Sequence, residues 1–220
     1  KVRGSILSDS TANLLVYGMG ERAILAIAER LRAGEDIESI KDVPGTCCMS
    51  ETLPEDALIL PSLEETRADK TLFAKAFRLQ YEEQDPVRGK RLAQFDRKTY
   101  LIQNPPAMPL CREELDKVYG LPFARQVHPM YREKVPAIEE VEFSVTANRG
   151  CFGSCSFCAL TFHQGRIVQS RSKESILREV EEMTKSPRFK GYVHDIGGPT
   201  ANFREPACKK QLKAGACKDR

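Results

Sequence analysis

The sequence predicts an α/β fold, on three observations. A short apolar run from Asn13 to Tyr17 meets a Gly18-Met-Gly20 turn and then a helical pattern from Glu21 to Arg32. Strict alternation in Val141-Glu-Phe143-Ser-Val145 marks a strand, because successive strand side chains face opposite ways. A helical pattern from Ser172 to about Lys185 and a short run from Tyr192 to Ile196 follow it, so strand, loop, helix and strand succeed one another as a β/α repeat.

The first helix places Ile24, Leu25, Ile27, Ala28 and Leu31 at helical spacing, with Gly34 just past its end as a stop. Ala57 to Leu60, bounded by Pro54 and Pro61, reads as a second strand or as a loop docked on the first unit. Leu63 to Gln84 lacks Gly and Pro and carries Leu72, Phe73, Ala76, Phe77 and Leu79, the pattern of one amphipathic helix that ends before Asp85-Pro86. Residues 99–136 contain six prolines, Pro105, Pro106, Pro109, Pro122, Pro129 and Pro136, and one short helical stretch from Arg112 to Tyr119. They read as a wrapping linker. Ser172 caps the last long helix, which turns Ile176, Leu177, Val180 and Met183 inward and Glu179, Glu181 and Glu182 outward. The resulting division is 1–62, 63–136 and 137–220.

A chain of 220 residues has room for a sizeable core. Lys and Arg number 34 against 31 Asp and Glu, a net charge of +3 spread over mixed surfaces, which makes no electrostatic case for nucleic acid. No stretch approaches the roughly 20 apolar residues of a membrane span, and no signal peptide precedes the first strand, so a cytoplasmic location is expected. Lys1 in place of Met and a Cys-rich stretch before Arg220 lead us to expect a fragment.

Three of the eight cysteines fall within eight residues, Cys151-Phe-Gly-Ser-Cys155-Ser-Phe-Cys158. In a reducing compartment such clustering points to a metal rather than to disulfides. C-x3-C-x2-C supplies three thiolates to a cubic iron-sulfur cluster and leaves its fourth iron open. The small Gly153 and Ser154 free the backbone to wrap a bulky cluster. The alternative is zinc in a structural or interaction module without catalysis. Cys155, Cys158 and His163 match the first three ligands of a zinc knuckle, with Cys151 as a fourth, but position 168, where a knuckle wants a cysteine, is Val168.

Gly18-Met-Gly20-Glu-Arg-Ala23 also fits a dinucleotide fingerprint. Glu21 opposes it, since its carboxylate occupies the helix N-terminus where a pyrophosphate would sit.

The cysteine spacing after a strand and before a helix, with Phe157 just ahead of the third cysteine, resembles the signature of the radical S-adenosylmethionine (radical SAM) superfamily. The resemblance implies a 4Fe-4S cluster on Cys151, Cys155 and Cys158, with SAM chelating the open iron. It also implies reductive cleavage of SAM to a 5′-deoxyadenosyl radical, and a reductant such as flavodoxin or ferredoxin. It places Phe157 near the adenine and Gly197 and Gly198 at the SAM amino group, although Pro199 and Thr200 follow where the family commonly has Glu.

Longer motifs are similar to the YgiQ-type subgroup: Asn148-Arg-Gly-Cys-Phe-Gly-Ser-Cys-Ser-Phe-Cys-Ala-Leu, Phe162-His-Gln-Gly-Arg166 and Ser170-Arg-Ser172. So are Tyr17-Gly-Met-Gly-Glu-Arg22, Gln103-Asn-Pro-Pro106 and Asp195-Ile-Gly-Gly-Pro-Thr-Ala-Asn202. The fold so implied is a flavodoxin-like, cobalamin-binding-like remnant followed by the first β/α units of a truncated TIM-type barrel. No Asp-x-His-x-x-Gly loop for cobalamin occurs, and the resemblance implies no particular substrate.

Of the remaining candidates, His163 reads as a SAM or substrate contact or as a locally bonded histidine. Arg166 and Arg171 read as partners of acidic residues on neighbouring helices rather than of the SAM carboxylate. His194 reads as fixing a strand end. Cys208 and Cys217 read as free thiols, and Cys47, Cys48 and Cys111 lack partner spacing.

Overall fold

A computed structural model describes residues 2–198 and 208–217. The chain divides into two compact units, one built from Lys1–Pro109, Gly153–Arg166 and Lys209–Arg220, the other from Leu110–Phe152 and Ile167–Cys208. Pro199, Thr200 and Asn202 of the Asp195 motif lie outside the described residues.

The first unit opens with α1 (Ile6–Ser10), β1 (Leu14–Val16) and α2 (Glu21–Arg32), followed by a single 3-10 turn at Ile37–Ser39. β2 (Thr46–Ser50), β3 (Leu58–Leu60), α3 (Leu63–Ala68), α4 (Lys70–Glu82), β4 (Leu92–Asp96) and β5 (Thr99–Gln103) complete its main body. The sheet order is β1-β2-β5-β4-β3. Three of its four pairings are antiparallel and only β3 with β4 is parallel. The α/β class therefore holds, but this sheet is mixed and lacks the parallel winding of a flavodoxin-like domain. β4 and β5 form a hairpin closed by Arg97 and Lys98, with Arg97 in the left-handed region. Residues 99–103, read above as the start of a linker, are thus the central strand of the sheet.

Two further readings change. The helix expected over 63–84 breaks at Asp69, whose backbone is extended and whose carboxylate caps Thr71 N at 2.7 Å, so one pattern becomes α3 and α4. On α2 the inward face is Ala23, Ala26 and Ile27, packed with Ile40 and Val43, while Ile24, Leu25 and Leu31 stay exposed. On the sheet, Cys48, Ala93 and Ile102 pack with Leu14, Ala57 and Tyr100.

Asn104 organises one end of this sheet. Its Nδ2 donates to Lys41 O (2.9 Å) and Thr46 Oγ1 (3.0 Å), its Oδ1 accepts from Arg91 Nε (3.0 Å), and its carbonyl accepts from Tyr17 OH (2.5 Å). The Tyr17 and Gln103 motifs are therefore in contact. Burial raises the Tyr17 pKa and keeps the phenol a donor.

The second unit contains α5 (Arg112–Tyr119), α6 (Ala137–Val141), β6 (Ser144–Thr146) and β7 (Asn148–Arg149). The chain returns to the first unit for α7 (Leu160–His163). It then supplies β8 (Gln169–Ser170), α8 (Lys173–Thr184) and β9 (Asp195–Gly197) to the second. α9 (Gln211–Ala214) belongs to the first unit. There Ala216 N donates to the buried Asp85 carboxylate at 2.6 Å, and Gly215, at φ +77°, leaves no room for a Cβ beside that carboxylate.

β6 and β9 pair in parallel with α8 between them, the expected β/α repeat. Phe143, Val145 and Met183 form its core with Ile176, Val180, Phe189 and Val193, and Leu177 is left exposed. Ser172 caps α8 through Ser175 N at 3.0 Å, as anticipated. The strand begins three residues later than its alternation suggests, because the chain after Pro136 turns helical as α6 and leaves Val141 exposed. No helix among the described residues is long and apolar enough to cross a membrane.

Ile102, 2% exposed on the central strand, is the keystone of the sheet cluster. Ile102→Ala is expected to lower stability by about 2–5 kcal/mol, read as a fall in the urea midpoint, whereas Leu177→Ala shifts it little.

Candidate metal centre

The strand that delivers the cysteine loop is fixed before the loop begins. β6 pairs with β9 in the register Thr146↔Gly197, Ala147 N donates to Gly197 O at 2.7 Å, and β7 pairs with β8. Gly150 then takes φ +85°, and a Cβ there would lie 2.5 Å from Ile167 O, so the step from β7 to Cys151 requires glycine. Cys151 is buried in the second unit.

Cys155 and Cys158 belong to the first unit and share one turn, with Cys158 N donating to Cys155 O at 3.0 Å and Ser154 left-handed at φ +50°. Cys155 is exposed, Cys158 half-buried and Phe157 90% exposed. Among the described residues no group of three or more His, Cys, Asp or Glu side chains is gathered around a metal position.

Gly197 closes β9 and Gly198 follows it against Asn148. A Cβ on Gly198 would collide with both polar atoms of the Asn148 side chain. Asn148 is 1% exposed and its Nδ2 has no hydrogen-bond partner among the described residues, an omission that ordinarily costs about 1–3 kcal/mol. The Gly-Gly turn thus lies beside an unused donor three residues before Cys151. Sequence reading missed this role for Asn148; its only signal was its place in the Asn148-Arg-Gly motif.

Arg171 is a structural cation. Its guanidinium donates to Thr146 O (2.9 Å), Ser175 O (3.0 Å) and Ser175 Oγ (2.9 Å), pairs with Glu179, and lies 4.3 Å from the Tyr119 ring centroid. This is the acidic-helix reading. Glu179, placed outside by periodicity, is instead buried between Arg171 and Arg125. His194 lies with Nδ1 3.2 Å from Glu140 O and its ring edge on Phe143, fixing a strand end. His163 is exposed and Arg166 half-buried.

No disulfide joins any of the eight cysteines. Burial, followed by the neighbouring Cys48, pushes the Cys47 thiol up to about 12, and burial raises Cys48 as well, so both stay protonated in β2. Cys111, Cys208 and Cys217 are exposed; Cys111 precedes α5 with its N–H on Glu114 Oε2 at 2.8 Å.

The chain is thus a mixed α/β protein with a β/α repeat and a three-cysteine loop, and comparison with known proteins gives its family. The family described as Radical SAM N-terminal matches residues 1–144, and the chain belongs to it. It is 56% identical over 223 residues to a UPF0313 protein of Clostridium perfringens, covering 99% of this chain and 34% of that one. A UPF0313 protein of Clostridium botulinum is 54% identical, covering 100% of this chain and 35% of the relative. The chain therefore spans about a third of the length of these curated relatives. The family match stops before Cys151, so the cysteine loop rests on its own residues.

Removing the Arg171 charge leaves Glu179 with one cation in a buried site. Arg171→Met should destabilise the protein by about 3–5 kcal/mol in urea titration. A variant of unchanged midpoint would return Arg171 to the ligand candidates.

Proposed function

We propose that the chain is part of a YgiQ-type radical SAM enzyme, spanning the end of its N-terminal domain and the start of its barrel, in which Cys151, Cys155 and Cys158 hold a 4Fe-4S cluster. The observation that supports the reading is local to one β/α repeat: Gly197 and Gly198 lie at the end of β9 against the unused amide of Asn148, three residues before Cys151. The donors fit the group. Three thiols spaced C-x3-C-x2-C suit a cluster with one open iron, and the orphan Nδ2 of Asn148, packed against Gly198, is a donor suited to a polar ligand such as the methionine part of SAM. When bound, the cluster supplies the electron that splits SAM into methionine and a 5′-deoxyadenosyl radical, which takes hydrogen from substrate.

The chain's own residues prepare that event. Gly150 turns the chain out of β7 toward Cys151, and Cys155 and Cys158 share one backbone turn closed by Cys158 N donating to Cys155 O. Gly197 O accepts from Ala147 N, which fixes the end of β9, and the backbone of Gly197 and Gly198 would meet the SAM amino group as the family resemblance implies. Phe157, exposed after Cys155, is available to cover the adenine. β6, α8 and β9 form the first β/α unit of the barrel, whose chemistry lies on loops after strands. A reductant such as flavodoxin or ferredoxin supplies the electron, and the reaction is cytoplasmic. The flavodoxin-like relation of the first unit has no support in its mixed sheet.

Full-length protein reconstituted anaerobically should be brown, carry about four irons per chain, change its electron paramagnetic resonance signal on SAM addition, and form deoxyadenosine. Cys155→Ala should abolish iron loading. A colourless protein that binds a single zinc defeats the proposal in favour of a structural module. Gly198→Ala separates the two cofactors: iron content should match wild type while the SAM-induced spectral change weakens by about tenfold or more in apparent affinity.

A further inference from the structure

The segment Gly153–Arg166, which carries Cys155 and Cys158, packs within the first unit. α7 follows Cys158 after one residue, Ala159, and contains only four residues. A helix that short has no stability of its own, so what holds it determines where the preceding turn points. Phe162 on α7 meets two rings of α4. Its centroid lies 6.0 Å from Phe77 and 5.7 Å from Tyr81, edge-on to the latter, and Phe77 and Tyr81 stack one helical turn apart at 6.4 Å. Aromatic pairs at these separations attract beyond their buried area. At the other side of α7, Gly18 sits at φ +70° with the position of its missing Cβ 3.4 Å from His163 O, so the Gly18-Met-Gly20 turn also abuts the segment. The first turn of α7 closes on its own cap, Phe162 N and His163 N both donating to Ala159 O (3.1 and 3.0 Å), and Ala159 is the residue that follows Cys158 directly.

We infer that Phe77, Tyr81 and Phe162 form an aromatic seat by which the first unit positions the Cys155–Cys158 turn, making α4 a positioning element of the metal centre. The inference rests on the cluster reading above. It assigns a role to an otherwise odd feature, a phenylalanine half exposed on α4 (Phe77, 51%). Phe73, one turn earlier and equally open at 47%, makes no ring contact among the described residues and serves as its control.

The test uses full-length protein loaded anaerobically with ferrous iron and sulfide, and reads the rate at which iron passes to a chelator together with the line shape of the reduced cluster. Phe77→Ala and Phe162→Ala should release iron about tenfold faster or more and broaden the signal. Phe77→Tyr, which restores the ring, and Phe73→Ala should behave as wild type. Phe77 lies at the surface, so apo Phe77→Ala should melt with wild type, which separates positioning from loss of fold. Equal iron retention in wild type, Phe77→Ala and Phe162→Ala overturns the seat, and so does equally fast loss from Phe73→Ala. A wild-type protein that takes up no iron overturns the metal-centre reading, and the seat with it.

Discussion

The buried charge of Arg171 is the constraint on which the second unit depends. Taking a guanidinium out of water costs several kcal/mol unless every donor finds an acceptor. Desolvation, the leading influence, draws the Arg171 pKa down from the usual arginine value, but the surrounding acceptors keep the group a cation. Those acceptors come from three elements: Thr146 O at the end of β6, Ser175 and Glu179 on α8, and the face of Tyr119 at the end of α5. Satisfying one side chain therefore fixes strand and helices together. Arg171 N also donates to Ala147 O, and Arg149 lies over the other aromatic contact of Tyr119 with its Nε on the phenol at 3.0 Å. The strand leading to Cys151 is held from both flanks before the loop starts.

With the strand fixed, the two glycines beside it acquire different jobs. Gly150 answers a backbone need, since its left-handed φ and its approach to Ile167 O exclude any side chain. Gly198 answers a side-chain need, since Asn148 occupies the space a Cβ would take. A substitution at the first misdirects Cys151; at the second it displaces a buried amide and leaves the strand pairing intact. The Asn148 Nδ2 has no acceptor among the described residues, so the fold carries a buried amide whose hydrogen-bonding capacity is left unused.

What the sequence made legible followed local rules. The Ser172 cap, the stop at Gly34 and the span of α2 and α8 depend on neighbours a few residues away, and all match. The β/α repeat was readable because α8 shows its period and the strands flank it. The breaks in legibility occur where distant residues decide. Asp69 splits one apolar pattern by bonding its own backbone, and residues 99–103 become the central strand only because β2 and β4 arrive on either side. Glu179 looks solvent-facing by period but is largely covered by Arg171, eight residues before it, and by Arg125, fifty-four residues before it. The cysteine loop was legible as chemistry, yet its assignment of Cys155 and Cys158 to the first unit was not, since the rings that hold α7 lie about eighty residues earlier.

The eight cysteines divide by environment, and that division is a physical argument about which can bind metal. A thiol must lose its proton to become a ligand. Cys47 and Cys48 sit inside β2, where burial penalises the thiolate and raises both pKa values, so the adjacent pair is a piece of core despite its suggestive spacing. Cys111 introduces α5, and Cys208 and Cys217 flank a short helix fastened through Asp85. Only at 151–158 do three cysteines occur within eight residues, with Gly150 at the entry and Cys155 exposed to water. Three thiolates brought together repel one another, so such a loop is stable in a gathered form only around a cation or a cluster.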